Sequence, residues 1–216
     1  RRRRRTGKSA PVDASGRRVT LTYTCAPDRS RNGVHMRPLE EDLKDAQRFH
    51  GHLCHGMVMG VRMARYGCRE LGLDDPRAYR DLVVYVELDR CASDAVAVVT
   101  GVTLGRRRLK WVDYGKLAAT FVDLASSRAV RLAPQPEVPH AGREDDPLTF
   151  WNDWDDERLF SCTPVHVDVA PEDRPGPPVR SIVCEECGER VQDGREIDCD
   201  GRQLCRACAG EAYYTF

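Results

Sequence analysis

Two Cys-x-x-Cys pairs near the C-terminus constrain this chain more than any other feature. Cys184 and Cys187 form the first pair, Cys205 and Cys208 the second, with 17 residues between them. Each pair closes a tight turn and offers two thiolates, so the four reach one tetrahedral ion at about 2.3 Å each. The stretch that carries them, 181–216, holds only 36 residues. A chain that short does not bury enough apolar surface to fold by itself, and metal binding supplies the missing free energy. We read it as a module built on a structural zinc. "REIDCDGRQLC" between the pairs reads as a hairpin turning at Asp200-Gly201, and Cys208 opens a short helix. Cys199 points off that hairpin and is not a ligand.

The remaining cysteine usage agrees with metal rather than disulfides. The chain has ten cysteines, and its start, "RRRRRTGKSAPVDASGRR", lacks the apolar core of a secretory signal. We therefore expect a reducing, cytoplasmic setting. The 34 basic and 34 acidic residues cancel, so no global field draws the chain to nucleic acid or to a membrane surface. No window approaches the 18 apolar residues of a membrane-spanning helix. The Arg run reads as a solvated tail, and 1–38 as a basic, largely disordered segment in which Val19 to Cys25 alternates like a short strand.

Between tail and module the periodicity predicts an α+β domain over 39–170: a mainly antiparallel sheet with packed helices. Leu39 to His50 is a helix, acidic at its front as the dipole prefers. Met57, Gly60, Val61, Ala64, Cys68 and Leu71 share one helical face, ended by Gly72. Gly60, Ala64 and Gly67 invite close packing, and Cys68 is a core thiol. "LVVYVEL" (82–88) is a buried strand. Ala92, Ala95, Val96 and Val99 mark a helix capped by Asp89 and ended by Gly101. Two strands are expected around a turn at Asp113 to Gly115, and another at Arg128 to Pro134. Leu148 to Phe160 reads as one helix and Thr163 to Ala170 as a strand with His166 on its solvent side. "PEDRPGPPVR" (171–180), with four prolines, is the linker.

The chemistry of this domain centres on "FHGHLCHG" (49–56), which holds His50, His52, Cys54 and His55. Cys54 precedes one helix and Cys91 opens another, and amides and dipole at both helix starts favour thiolate. His52 and Cys54 project to one side of an extended chain. The cluster is read three ways: a metal site, a catalytic thiol, or packed and capping residues.

"FHGHLCHGMVMGVRMARYG", then "DRCASDAVAVVTGVTLGRRRLKWVDYGKLAATF", then a Cys-x-x-Cys-Gly module resembles the FmdE family, named for a non-catalytic subunit of formylmethanofuran dehydrogenase. The resemblance covers about 39–130 and 183–214. It implies an α+β core followed by a zinc-ribbon or treble-clef module. It maps the family's first motif onto His50, Gly51, His52, Cys54 and Gly56, and the second onto Asp89, Arg90 and Cys91; Asp94 and Lys116 also fall on family-like positions. Two departures stand out. His55 replaces the family's proline and is a further candidate ligand. Gly101-Val102-Thr103 lacks a cysteine that some members carry.

On this resemblance His52, Cys54 and Cys91 hold a second transition metal (Zn, Fe or Ni), with His50 or His55 as an additional ligand. Cys54, Cys91 and Lys116 are the catalytic candidates. The implied role is an accessory, oxidoreductase-associated protein of one-carbon formyl metabolism, with a small-molecule or protein partner or a second copy of itself. The competing reading is a zinc-finger regulator or assembly factor that binds nucleic acid or a protein. The near-zero net charge weighs against the nucleic acid.

Overall fold

The structure is a computed structural model that describes residues 36–215 except residue 143. The strand expected at Val19 to Cys25 and most of the basic tail lie outside the described residues. Arg37, at the end of that stretch, is docked: its guanidinium bonds Asp45 at 2.8 Å.

The main unit is α+β. Its elements are α1 (Leu39–His50), α2 (His55–Leu71), β1 (Leu82–Val86), α3 (Cys91–Thr100), β2 (Leu109–Trp111), β3 (Ala119–Asp123), β4 (Arg128–Pro134), α4 (Pro147–Asn152), α5 (Asp156–Leu159) and β5 (Phe160–Pro164). The strands form one sheet in the order β2-β1-β3-β4-β5. β1 and β2 are parallel, and every other pairing is antiparallel.

One sheet face meets the helices. Leu82, Val84, Phe121 and Leu132 are fully buried there among Met57, Val61 and Met63 of α2. The opposite face, Val83, Val122 and Ala129, is covered by Val165, Val167 and Val169. α2 is the central element because its glycines let neighbours approach. A Cβ at Gly60 would lie 2.7 Å from the Ala92 Cα, and one at Gly67 would lie 2.4 Å from the Phe121 ring. α3 and β3 therefore press directly on the α2 backbone.

Four local expectations are corrected. The strands on either side of residues 113–115 are not partners. α3 returns the chain alongside β1, so β2 takes the outer edge. The following segment then crosses the end of β1, where the Tyr114 and Lys116 amides donate to the Glu87 carbonyl at 3.2 and 3.0 Å, and β3 lands on the other side. Leu148 to Phe160 is two short helices, not one. Asp146 caps α4 by accepting from the Thr149 amide at 2.8 Å. Arg62 of α2 then bonds the Trp151 carbonyl at 2.8 Å and the Trp154 carbonyl, drawing away acceptors that a continuing helix would use. The strand expected from Thr163 begins at Phe160, and 165–170 runs on without regular pairing, His166 exposed. Asp89 does not cap α3: the N-cap position is Arg90, with no side-chain cap bond.

The C-terminal part has two small hairpins, β6 (Ser181–Val183) with β7 (Arg190–Gln192) and β8 (Ile197–Cys199) with β9 (Arg202–Leu204). Asp200 and Gly201 turn the second with φ of 54° and 85°. Positive φ at both centres is the turn that matches strand twist. A helical turn, Ala207–Glu211, follows. Ion pairs tie this part and the linker before it to the sheet edge: Arg107 to Asp193 of the hairpin unit, and Lys110 to Asp173 of the linker at 3.8 Å.

Candidate metal centres

Two groups of metal-ligating side chains converge among the described residues. The ligand atoms of Cys184, Cys187, Cys205 and Cys208 all lie within 4.8 Å of one another. Each pair sits at a tight turn beside a hairpin. Gly188 at φ 75° lets the first pair turn back into β7. The sulfurs are also met by backbone N–H groups: Cys205 N donates to the Cys184 sulfur at 3.2 Å, and Cys208 N to the Cys205 sulfur at 3.4 Å. Amides of Cys187 and Cys205 pull the Cys184 thiol down to about 6. The electrostatic consequence falls on its neighbours: hydrogen bonding to Cys205 pushes the Cys208 thiol up to about 12. Four sulfurs this close cannot all ionise unaided. A divalent cation removes that conflict, so the donor set fits a tetrahedral thiophilic metal.

The second group is His50, Cys54 and Cys91, whose ligand atoms also lie within 4.8 Å of one another. Three elements deliver them. His50 is the last residue of α1, and Gly51 at φ 93° reverses the chain behind it. Cys54 is the extended residue before α2, and Cys91 is the first residue of α3. Gly56 lies between the two cysteines: a Cβ there would be 3.8 Å from each sulfur and 3.2 Å from the Cys91 Cβ. A side chain at 56 would push into the group.

His50 Nδ1 meets an Asp94 carboxylate oxygen at 2.8 Å. An ionised carboxylate only accepts, so Nδ1 carries the proton and Nε2 keeps the lone pair that a metal needs. Asp94 lies three residues after Cys91 on α3, so one helical turn carries both a thiol and the carboxylate that orients the imidazole. The expectation that both helix starts lower the thiols is corrected at Cys91. Burial, then hydrogen bonding to Cys54, raises its thiol above the ordinary value. Two thiols and an imidazole are a soft donor set suited to Zn and its neighbours. Three protein donors are also the number that leaves a coordination position free. The group opens on a cleft of about 500 Å³ lined by His50, Cys91, Asp94, Leu104, Leu109 and Trp111.

The family described as "FmdE, Molybdenum formylmethanofuran dehydrogenase operon" matches residues 49–157, half of the chain. The chain belongs to the FmdE family. A protein from Syntrophus aciditrophicus, described as similar to the FmdE component of a tungsten formylmethanofuran dehydrogenase, has the same fold. It aligns with a TM-score of 0.56 at 19% identity, over 85% of this chain and 98% of that one. A curated relative from Archaeoglobus fulgidus, named "Probable S-adenosyl-L-methionine-binding protein", is 30% identical over 203 residues, 78% of this chain. The chain spans about half that relative's length, 52%.

Set against the FmdE motifs, the candidate residues separate. His50, Cys54 and Cys91 come together. His52, the expected first imidazole, is exposed and stays outside that group, its ring 4.8 Å from that of His50. His55, the residue in the family's proline position, faces away. Its Nδ1 accepts from the Trp151 indole at 3.0 Å, and its Nε2 donates to the Asp145 carbonyl at 3.1 Å. Both ring nitrogens are engaged in fastening the 145–151 segment over α2. Lys116 is exposed, 6.0 Å from the Tyr114 ring, and does not line the cleft. Cys68 is a buried core thiol. The orienting part of Asp94 was not legible as such; its spacing from Cys91 was the available signal.

Proposed function

We propose that this FmdE protein holds two metal ions, one structural and one open to ligand, and serves as an accessory protein of formyl metabolism. The observation that carries the reading is the convergence of His50, Cys54 and Cys91 from three elements beside a cleft, with Asp94 fixing the imidazole. In this reading Cys184, Cys187, Cys205 and Cys208 hold a zinc that stabilises 181–216. His50, Cys54 and Cys91 hold a second transition metal, which when bound supplies a Lewis acid to a small molecule. Cys54 and Cys91 act as ligands rather than nucleophiles. Asp94 keeps the His50 proton on Nδ1, and Leu104, Leu109 and Trp111 give the ligand's path apolar walls. The domain division at 171–180 belongs to the same proposal.

The family's description supports a place beside a molybdenum formylmethanofuran dehydrogenase. The name of the curated relative makes S-adenosyl-L-methionine the first small molecule to try in the cleft. The nucleic-acid form of the regulator reading is disfavoured by charge: residues 181–216 carry eight acidic and four basic side chains, a surface that repels phosphate backbones. No helix among the described residues is long and apolar enough to cross a membrane.

Elemental analysis of the untagged chain tests the reading. Two metal ions per chain are expected. Cys91→Ser lowers the content to one, and Cys187→Ser removes the other. A single metal that survives Cys91→Ser unchanged refutes the second site.

A further inference from the structure

We infer that the open site selects ligands that carry a flat aromatic or heteroaromatic ring beyond the atom that meets the metal, and that Trp111 is the residue that selects them. The inference rests on the metal reading of His50, Cys54 and Cys91 and goes beyond it.

The topology places the cleft. β1 and β2 are the parallel pair of the sheet, and the cleft runs alongside β2, from Leu104 and Leu109 to Trp111, and round the carboxyl end of β1 at Val86 and Leu88 to the start of α3. Crevices at the carboxyl ends of parallel strands are where open α/β sheets receive ligands. The volume, about 500 Å³, is in the range of organic ligands rather than of a bare ion and its waters.

The walls are unequal. Polar groups gather at the start of α3: Asp89, Arg90 and Cys91, with His50 and Asp94, of which Asp94 is already occupied by His50. Ser93 is also engaged, donating to the Leu88 carbonyl at 2.6 Å. The far end is apolar. Trp111 pairs in register with Val86, which is buried against the helices, so its indole lies on the helix side of the sheet, over the cleft. It remains 53% exposed there, and Leu104, which lines the same cleft, is 66% exposed. Large apolar side chains left in water at the wall of a cleft lose that exposure only to something that enters it. An indole face prefers another flat ring, in offset or edge contact, to an aliphatic chain. A ligand that places a donor atom at the metal and a ring against Trp111 and Leu104 uses both ends.

The probes are imidazole and 4-phenylimidazole, titrated calorimetrically into the full metal-loaded chain. Both present the same donor nitrogen, and only one has a ring to bury. We expect 4-phenylimidazole to bind at least about tenfold tighter, the gain expected for burying a phenyl group. Trp111→Ala should abolish the difference by bringing the affinity for 4-phenylimidazole down to that for imidazole, whereas Trp111→Phe should keep it. Trp111 is exposed on an edge strand, so these variants should fold, which a thermal melt checks. Equal affinity of the two probes, in a chain that holds two metals, overturns the inference and leaves the metal reading intact. So does a dimer that Trp111→Ala dissociates with no change in the probe ratio, because the indole would then serve contact between copies. A chain that holds one metal, indifferent to Cys91→Ser, overturns both.

Discussion

Asp94 shows how one carboxylate sets the character of the site. By holding Nδ1–H of His50 at 2.8 Å it fixes both the tautomer and the plane of the ring. Removal of such an orienting partner commonly costs 10–100-fold in metal affinity. Asp94→Ala should therefore weaken the main-domain metal by about that factor while the four-cysteine metal stays, as read by competition with a graded chelator. Retention of both ions at wild-type affinity would show that His50 needs no orientation. A second carboxylate controls acid stability. The Arg37 guanidinium, with Arg77 behind it, holds the Asp45 carboxyl below its ordinary value against the opposing effect of burial. A carboxylate lowered in the folded state stabilises above its unfolded pKa, and that contribution disappears as pH falls through the lower folded value. Asp45 is partly exposed, so the effect is about 1 kcal/mol or less. Asp45→Asn should be the less stable protein at pH 7, with the gap closing in urea melts as pH falls below the ordinary carboxylate range. A gap that persists at low pH would place the effect in packing instead.

At the scale of elements, the site depends on how closely α2 and α3 approach. Gly60 is the point of contact: a Cβ there would sit 2.7 Å from the backbone of Ala92, next to Cys91. Backbone does not yield as a side-chain tip does, so Gly60→Ala must separate the helices. Overpacking of this kind costs about 1–3 kcal/mol. The same separation moves Cys91 away from Cys54, so the variant should also lose metal from the main site, measured as metals per chain on folded protein. A destabilised variant that keeps both metals would show that the cysteine pair tolerates the shift. The α4–α5 corner is the other device. Arg62 bonds Asp156 at 2.8 Å together with the Trp151 and Trp154 carbonyls, and His55 takes the Trp151 indole. A histidine that stands next to Cys54 in sequence thus works for packing, not for the metal.

For the whole molecule, the four-cysteine unit should behave as a metal-dependent appendage. Its own apolar core is small: among its residues the buried apolar side chains are Cys184 and Leu204. Cys187→Ser or a strong chelator should release its metal and open 181–215 to protease, while the sheet from Leu82 to Pro164 keeps its melting transition. Persistence of protease resistance in chelator would mean that contacts such as Arg107 with Asp193 hold the unit folded without metal. Those contacts join the unit to the segment that leads into β2, the strand that also carries Trp111, so the main-site cleft is measured best on the full chain.

Much of this was written locally in the sequence. Cys-x-x-Cys spacing, the Asp200-Gly201 turn, the α1 and α2 boundaries and β4 all follow from rules that act within a few residues: turn chemistry, helical period and strand alternation. They were legible because each residue's neighbours in the chain are also its neighbours in space. The placement of β2 was not, because pairing across β1 depends on where α3 returns the chain. Nor was the break between α4 and α5, which depends on Arg62 reaching across from 89 residues away in sequence. The choice among three histidines belongs to the same class. His50, His52 and His55 look equivalent in "FHGHLCHG", and sequence adjacency favoured His52. Only the fold brings Asp94 to His50 and Trp151 to His55. A hydrogen bond between distant residues, and not the local pattern, decides which imidazole faces the thiols.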